Sequence, residues 1–139
     1  MAVHLEIIVP GPPISNQQRT SRGKTVLANW RAAVSTAVRA SWSGPKLTTN
    51  LRATIINFHV GPEPPVDLDN MSKPIFDEMQ ADVYGDDRQI RQARLVHLEI
   101  GAPVAIANAS KLLVTAIRTG GPFVYVRVED PESPYPLPG

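Results

Sequence analysis

Residues Asp67 to Asp87 read D-L-D-N-M-S-K-P-I-F-D-E-M-Q-A-D-V-Y-G-D-D, and the rest of the chain is organised around this stretch. It holds seven acidic residues and a single cation, Lys73. Carboxylates this close together repel one another unless a cation, hydrogen bonds or solvent screen them. The excess has two explanations: a bound divalent metal ion, or a solvated acidic helix with a turn at each end, which is the commoner origin of an acidic run.

The stretch is predicted to begin with extended backbone. The run G-P-E-P-P at 61–65 biases the residues before its prolines to extended conformations, and we expect this conformation to continue through Val66–Asp69. Side chains two residues apart share a face of an extended segment. The carboxylates of Asp67 and Asp69 are therefore predicted to lie side by side, with Leu68 turned toward the core.

An amphipathic helix is predicted next, from about Asn70 to Gln80. Asn70, Lys73 and Asp77 share its polar side. The apolar side consists of Met71, Ile75, Phe76 and Met79. Either Asp69 or Asn70 is the predicted N-cap, which would aim the positive end of the helix at the carboxylates.

Pro74 and the turn that follows constrain the ends of this helix. Because proline has no backbone N–H to donate, Pro74 fits only near the first turn. The run V-Y-G-D-D at 83–87 is predicted to be a turn that returns Asp86 and Asp87 to the entrance of the next strand. Glu78 and Asp82 are interpreted as a solvated face.

The rest of the chain predicts a small single-domain α+β protein, with a mixed β-sheet packed against two to three helices. Strands are predicted at 3–9, 51–60, 89–100 and 123–128, and helices at 27–42 and 111–118. Trp30 and Trp42 lie on the apolar stripe of the helix at 27–42 and are predicted to be core. The domain is expected to span 1–129, and the Pro-rich tail, 130–139, is expected to be disordered or extended.

Composition restricts the chemistry that is available. The 139 residues include no cysteine, which excludes a disulfide or a thiolate zinc site and leaves a hard cation held by oxygen ligands. None of the three histidines stands at a metal-motif spacing, and His59 is interpreted as a structural or surface residue. No run could span a bilayer, and the N-terminus lacks the order of a signal peptide. We therefore expect a cytoplasmic protein.

Charge is distributed unevenly along the chain. Residues 1–50 carry six cations against Glu6 alone, a net +5, while the remainder carries eight cations and twelve acids, a net −4. Cations for a DNA backbone beside carboxylates for a metal would suit a protein that cuts phosphodiesters, although chance can produce the same asymmetry in a short chain. The polar stretch 14–25 is predicted to be a surface loop. Its candidate DNA contacts are Asn16, Arg19, Arg22 and Lys24, and an ordinary flexible loop is the alternative.

The motif D-L-D-N-x-x-K-P-x-x-D-E-M, followed by Y-G-D-D-R-Q-I, resembles the signature of the RusA-type Holliday junction resolvases, small dimeric endonucleases of bacteria, phages and prophages. The opening I-I-V-P-G-P-P-I-S-N is similar to the strand, proline turn and Asn-containing loop with which that family begins. The resemblance covers roughly residues 3–100. It implies a RusA-like mixed α/β fold.

The resemblance also implies selective cleavage of branched DNA by a homodimer, with divalent metal bound by acidic residues. Asp67, Asp69 and Asp87 match the essential acidic residues of the family, and Lys73 matches its essential lysine. The supporting motif positions are matched by Asn70, Asp77 and Asp86.

The chemistry of phosphodiester hydrolysis requires the same residue types. Charge on the phosphate oxygens must be neutralised, a water must become nucleophilic near neutral pH, and the leaving oxygen must be stabilised, all of which Mg²⁺ on carboxylates can provide. Our hypothesis is that Asp67, Asp69 and Asp87 bind one or two Mg²⁺ ions, with Mn²⁺ as the alternative. Lys73 would contact the scissile phosphate or orient the attacking water, whereas a plain surface ion pair with Asp77 is the simpler interpretation of that lysine alone.

Three other functions remain open at this point. A less selective metal-dependent nuclease would use the same carboxylates, and a non-catalytic protein that binds branched DNA would ignore Mg²⁺. A regulatory module that uses the acidic surface for protein contacts would bind neither metal nor branched DNA.

Overall fold

A computed structural model describes residues 2–139 of the chain. In chain order its elements are β1 (Val3–Pro10), α1 (Ser21–Ser41), β2 (Leu51–His59), α2 (Leu68–Asp82), β3 (Ile90–Glu99), α3 (Lys111–Thr119) and β4 (Phe123–Glu129). A single 3-10 turn, Asp87–Gln89, directly precedes β3. Among the described residues, no helix is long and apolar enough to cross a membrane.

The strands form one mixed sheet in the order β1-β4-β2-β3. β4 lies antiparallel to both β1 and β2, while β2 and β3 are parallel, with Leu51 beside Ile90 and His59 beside Glu99. A parallel pair needs a crossover, and α2 supplies it. The predicted α+β class is confirmed.

Alternation along the strands divides the apolar side chains between two faces of the sheet. On β2, Leu51 and Ile55 are fully buried and pack with α1 and α2, whereas Phe58 belongs to a second cluster on the other face, beneath α3. Trp30 is buried in the main core and Trp42 packs against it, so the interpretation of both as core residues is confirmed. The main core thus lies between the sheet and the helix that carries the acidic motif.

The loop predicted at 14–25 is shorter than expected. Thr20 accepts a hydrogen bond from the Gly23 N–H at 2.9 Å and caps α1, which begins at Ser21. Arg22 and Lys24 therefore lie in the first turn of a helix and not in a loop. The apolar periodicity begins only at Leu27, which is why the earlier turn was missed.

The extended segment predicted at Val66–Asp69 is wrong from Leu68 onward, although Asp67 itself has extended backbone with φ −75° and ψ 165°. α2 begins at Leu68, and its N-cap is Asp67 instead of Asp69 or Asn70. Successive helical residues project about 100° apart, so Asp67 and Asp69 do not share a strand face. The cap decides the outcome: an aspartate that can accept from the N–H three residues later favours the helix over continued extension.

The predicted C-terminal elements are confirmed, with Ser110 capping α3 through the Leu113 N–H at 3.1 Å and Gly120 ending it with a φ of +80°. After Glu129 the described chain forms no helix or strand. Its first residues nevertheless contact the sheet, since Glu132 exchanges backbone-to-side-chain hydrogen bonds of 2.9 and 3.1 Å with Gln92. Disorder of the tail stays a prediction.

Candidate active site

The N-terminus of α2 carries the first two predicted metal ligands. Asp67 accepts hydrogen bonds from the backbone N–H of Asn70 at 2.8 Å and from its side-chain amide at 3.0 Å. Asp69 lies in the first helical turn, where its charge is favourable toward the helix dipole. Both aspartates are exposed. The local sequence D-x-x-N therefore fixes the Asp67 carboxylate, whereas the Asp69 carboxylate has no hydrogen bond or ion pair within residues 2–139.

Pro74 lies inside α2, in its second turn, and not near the start as predicted. A proline cannot donate to the carbonyl four residues earlier, so the Asn70 C=O lacks its usual helical partner. The backbone N–H of Asn16 donates to this carbonyl at 3.0 Å. The proline thereby creates an attachment point that holds the segment around Asn16 against the start of α2.

Lys73 lies one turn further along the exposed side of α2. Its ammonium donates to the Asp77 carboxylate at 2.8 Å, and the Arg31 guanidinium of α1 lies 3.9 Å from the same carboxylate. The hydrogen bond and charge of Asp77 raise the pKa of Lys73, and the charge of Asp87 raises it further. Lys73 is therefore a cation over the whole physiological range and is oriented by a neighbour on its own helix.

The turn before β3 is organised by Gln89. Its Oε1 accepts from the backbone N–H groups of Gly85 at 2.9 Å and Asp86 at 3.0 Å. Its Nε2 donates to the carbonyls of Leu47 at 2.9 Å and Thr49 at 3.0 Å. One side chain thus joins the turn that carries Asp87 to a segment about forty residues earlier in the chain. The sequence prediction missed this role, although the spacing D-x-x-Q at 86–89 is a recognisable capping box.

Asp86 and Asp87 have different surroundings. Asp86 caps the 3-10 turn and is held by Arg88, whose guanidinium and backbone N–H both donate to it at 2.8 Å. These bonds lower the pKa of Asp86 to about 2. Asp87 is exposed, and its side chain has no hydrogen bond or ion pair within residues 2–139. Asp86 is thus engaged in supporting the turn, while Asp87 presents a free carboxylate.

The three predicted metal ligands are not gathered into one cluster. No three Asp, Glu or His side chains in the described part of the chain converge closely enough to hold a metal ion. The charge of Asp67 acts on His97, near the end of β3, whereas the charge of Asp87 acts on Lys73 and Tyr84. The donor chemistry does fit Mg²⁺, because Asp69 and Asp87 offer exposed carboxylate oxygens that have no competing partner among the described residues, while Asp67 would share its oxygens with Asn70.

The model of the endodeoxyribonuclease RusA family matches residues 10–107, which is more than half of the chain. The chain belongs to the RusA endodeoxyribonuclease family. It is accordingly an endonuclease that acts on DNA. No curated protein matches the sequence. The matched residues of this RusA-family enzyme include the whole acidic stretch, both parallel strands and α1.

The candidate DNA contacts of the RusA-family enzyme occupy the start of α1 and the segment before it. Arg19, Arg22 and Lys24 are exposed and form no ion pair within the described residues. Asn16 is half-buried and is attached to α2 through its backbone. Thus the structure brings one of the four candidate residues directly to the α2 N-terminus and leaves three cations facing solvent.

Glu78 and Asp82 do not form the solvated face that was predicted. Glu78 accepts from Arg31 at 3.0 Å, and Asp82 accepts from Arg39 at 3.3 Å. Both bonds join α2 to α1. The two pairs span 47 and 43 positions of the chain. Helical periodicity carries no information about contacts at such separations.

A buried polar group lies behind the N-terminus of α2. The Asn57 side chain lies 3.1 Å from the Nδ1 of His97, and the rings of His59 and His97 meet edge to face with centroids 6.0 Å apart. Burial lowers the pKa of His97, and the neighbouring His59 lowers it further. Of the two alternatives for His59, a structural or a surface residue, its burial in this enzyme excludes the surface one.

Proposed function

We propose that this RusA-family enzyme is a Mg²⁺-dependent endonuclease that resolves Holliday junctions and other branched DNA in recombination and repair. The observation that carries the proposal is that Asp69 on α2 and Asp87 in the following turn offer exposed carboxylates without partners among the described residues, while Asp77 orients the Lys73 ammonium on α2. The Lys73 ammonium donates to the Asp77 carboxylate at 2.8 Å, and the charge of Asp87 also raises the pKa of Lys73. Its site of action would be the cytoplasm of a bacterial or phage-infected cell, where such DNA occurs.

Asp67, Asp69 and Asp87 are the residues that would hold one or two metal ions. When bound there, Mg²⁺ would neutralise phosphate charge, lower the pKa of a water and stabilise the leaving oxygen. Mn²⁺ accepts the same oxygen ligands and is the expected substitute.

The remaining residues of the site bind and orient the DNA. The Lys73 ammonium would donate to a non-bridging oxygen of the scissile phosphate, or orient the attacking water, and Asp77 would fix its direction. Asn16 would approach the same phosphate from the segment attached to Asn70, with Arg19, Arg22 and Lys24 further along the backbone. Charge-assisted donors of this kind are the strong contacts to phosphate.

A homodimer is the assembly that the substrate requires. A four-way junction has near two-fold symmetry, and its resolution requires paired cuts in two strands. A symmetric dimer would present two equivalent sites to those strands. This part of the proposal rests on the symmetry of the substrate and on the family. Measuring the molecular mass of the protein in solution tests it directly.

The decisive experiment compares a synthetic four-way junction with a linear duplex of the same sequence, each with and without Mg²⁺. We expect Mg²⁺-dependent paired cuts in the junction and little cutting of the duplex. Equal cutting of both would indicate a less selective nuclease, and junction binding without any cutting would indicate a non-catalytic binding protein. Either result would overturn the proposal as stated.

Variants of the site sharpen this test. Asp69→Asn and Lys73→Gln should each lose junction cleavage by roughly 10²-fold or more, the usual cost of removing one stabilising group from such a site. Glu63→Gln is the matched control, because Glu63 is exposed and lies outside α2. An Asp69→Asn protein that is folded and cleaves like the wild type would remove Asp69 from the metal site.

A further inference from the structure

A basic cleft lies along the outer edge of the sheet, where β3 has no neighbouring strand among the described residues. The cleft has a volume of about 650 Å³. Its polar lining consists of Arg52, Arg91, Gln92, Arg94, Glu132 and Tyr135. It is separate from the segment at 14–25 to which the candidate DNA contacts were assigned.

The charges of this cleft are not balanced. Arg94 is exposed and forms no ion pair or hydrogen bond within residues 2–139. Arg91 is also exposed, and its Nε donates to the Arg88 carbonyl at 2.8 Å, so no carboxylate offsets its charge in that part of the chain. Arg52 is the exception, because it lies 2.9 Å from Glu132 and 3.8 Å from Glu129. The outer strand therefore presents two guanidinium groups that are free to take an anion.

The cleft borders a second cavity beside the turn that presents Asp87. Arg91 also lines a neighbouring cavity together with Asn50, Asp86, Arg88 and Gln89. Asp86, Arg88 and Gln89 belong to the turn that presents Asp87, while Asn50 directly precedes β2. An extended anion that reached Asp87 could thus run on past Arg91 to Arg94, which lies about 10 Å further along the strand.

We infer that this cleft binds the phosphate backbone of one DNA arm, through Arg91 and Arg94, as the arm leaves the active site. The inference rests on the proposed function, because it takes DNA as the polyanion. Guanidinium groups match phosphate oxygens with two parallel N–H donors, and two such groups lining one cleft suit a polyanion with repeated phosphates. An isolated acidic side chain of a protein partner would satisfy only one of them.

Glu132, which also lines the cleft, opposes this binding. Its carboxylate forms an ion pair with Arg52, and its backbone forms two hydrogen bonds with the Gln92 side chain. A phosphate in the cleft would be repelled by Glu132 and would compete with it for Arg52. The start of the C-terminal tail therefore limits the affinity of the cleft for DNA.

The test measures DNA binding by fluorescence anisotropy over a series of KCl concentrations, without divalent metal so that no strand is cut. Each phosphate contact contributes about 0.9 to the slope of log K against log salt. Arg94→Gln should reduce the slope by about 0.9 and Arg91→Gln/Arg94→Gln by about 1.8. Glu132→Gln should tighten binding. Lys111→Gln/Arg118→Gln, on the exposed side of α3, removes the same charge elsewhere and should leave the slope unchanged.

Arg94→Gln is the cleaner variant, because Arg91 also supports the Arg88 carbonyl. An unchanged slope in both arginine variants, or an equal loss in the α3 control, would overturn the cleft as a DNA site. The wild-type cleavage assay separates this outcome from failure of the proposed function. If no junction is cut but the slopes change as expected, the cleft is supported as a DNA site and the proposed activity is rejected. If the junction is cut but the slopes are unchanged, only the cleft is rejected as a DNA site.

Discussion

The backbone N–H of Asn16 donates to the backbone carbonyl of Asn70 at 3.0 Å, across 54 positions of the chain. That carbonyl is available because Pro74, four residues later, has no N–H to offer it. The pair attaches the segment that carries the candidate DNA contacts to the helix that carries the acidic motif. A residue that usually weakens a helix here connects two parts of the proposed site.

The substitution Pro74→Ala should loosen this attachment. The backbone N–H that alanine restores at this position would compete for the Asn70 carbonyl, so the Asn16 amide should exchange its hydrogen faster than in the wild type. The Gly11 amide, which donates to the Pro122 carbonyl at 3.0 Å, is an internal control and should keep its rate. Native-state hydrogen exchange by NMR measures both. Unchanged protection of Asn16 would show that the proline is not what frees the carbonyl.

Asp67 is predicted both to cap α2 and to bind metal, whereas Asp69 is predicted only to bind metal. Because its carboxylate caps α2, Asp67→Ala should lower the free energy of unfolding by about 1 kcal/mol, whereas Asp67→Asn should keep most of the cap. Asp69→Ala removes no side-chain hydrogen bond that the described part of the chain forms, and it should change stability much less. Urea unfolding measures the three variants, and junction cleavage should be lost in all of them. Equal stability of Asp67→Ala and Asp69→Ala would contradict the capping role.

Gln89 should stabilise the turn that presents Asp87. Gln89→Ala removes hydrogen bonds to four backbone groups in two segments, so the free energy of unfolding should fall by roughly 1–3 kcal/mol. Junction cleavage should fall as well, because Asp87 loses its fixed position. Gln17→Ala is the matched control, since that side chain is exposed and makes no hydrogen bond within the described residues. Chemical denaturation and single-turnover cleavage are the measurements.

Alkaline stability should depend on Tyr125, which lies on β4 away from the proposed metal ligands. Burial, and a hydrogen bond from its hydroxyl to Glu6, raise the pKa of Tyr125 to about 12. The unfolded chain loses this proton near its ordinary pKa of 10.0, so it binds fewer protons than the folded protein between these values. Stability from this group is complete below pH 10 and falls by up to about 1.4 kcal/mol per pH unit up to pH 12.

Tyr125→Phe tests that dependence. The variant should lose stability at neutral pH, but its stability should fall less steeply than that of the wild type above pH 10. Denaturant unfolding at a series of alkaline pH values gives the slopes, and phenolate absorbance gives the pKa directly. Parallel slopes in the two proteins would contradict a raised pKa.

Several elements could be predicted because their signals are local. The alternation at 51–59 identifies a strand, and the apolar repeat from Leu27 identifies α1. Gly120 and Ser110 mark the ends of α3 through backbone conformation and capping. The predicted segment at Val66–Asp69 was wrong from Leu68 onward because the effect of the prolines and the effect of the Asp67 cap compete there, and periodicity does not decide between them.

The acidic stretch, the four-strand, three-helix pattern of the described chain and membership of the RusA family were all determined by the sequence itself, because each depends on residue type and on spacings of a few positions. Only the tertiary structure decided that Asn16 is bound to Asn70, that Gln89 joins two distant segments, and that Glu78 and Asp82 pair with α1. Such contacts depend on how the crossover packs α2 against α1 and the sheet. A hydrogen bond between residues forty or more positions apart leaves no periodic trace in the chain that forms it.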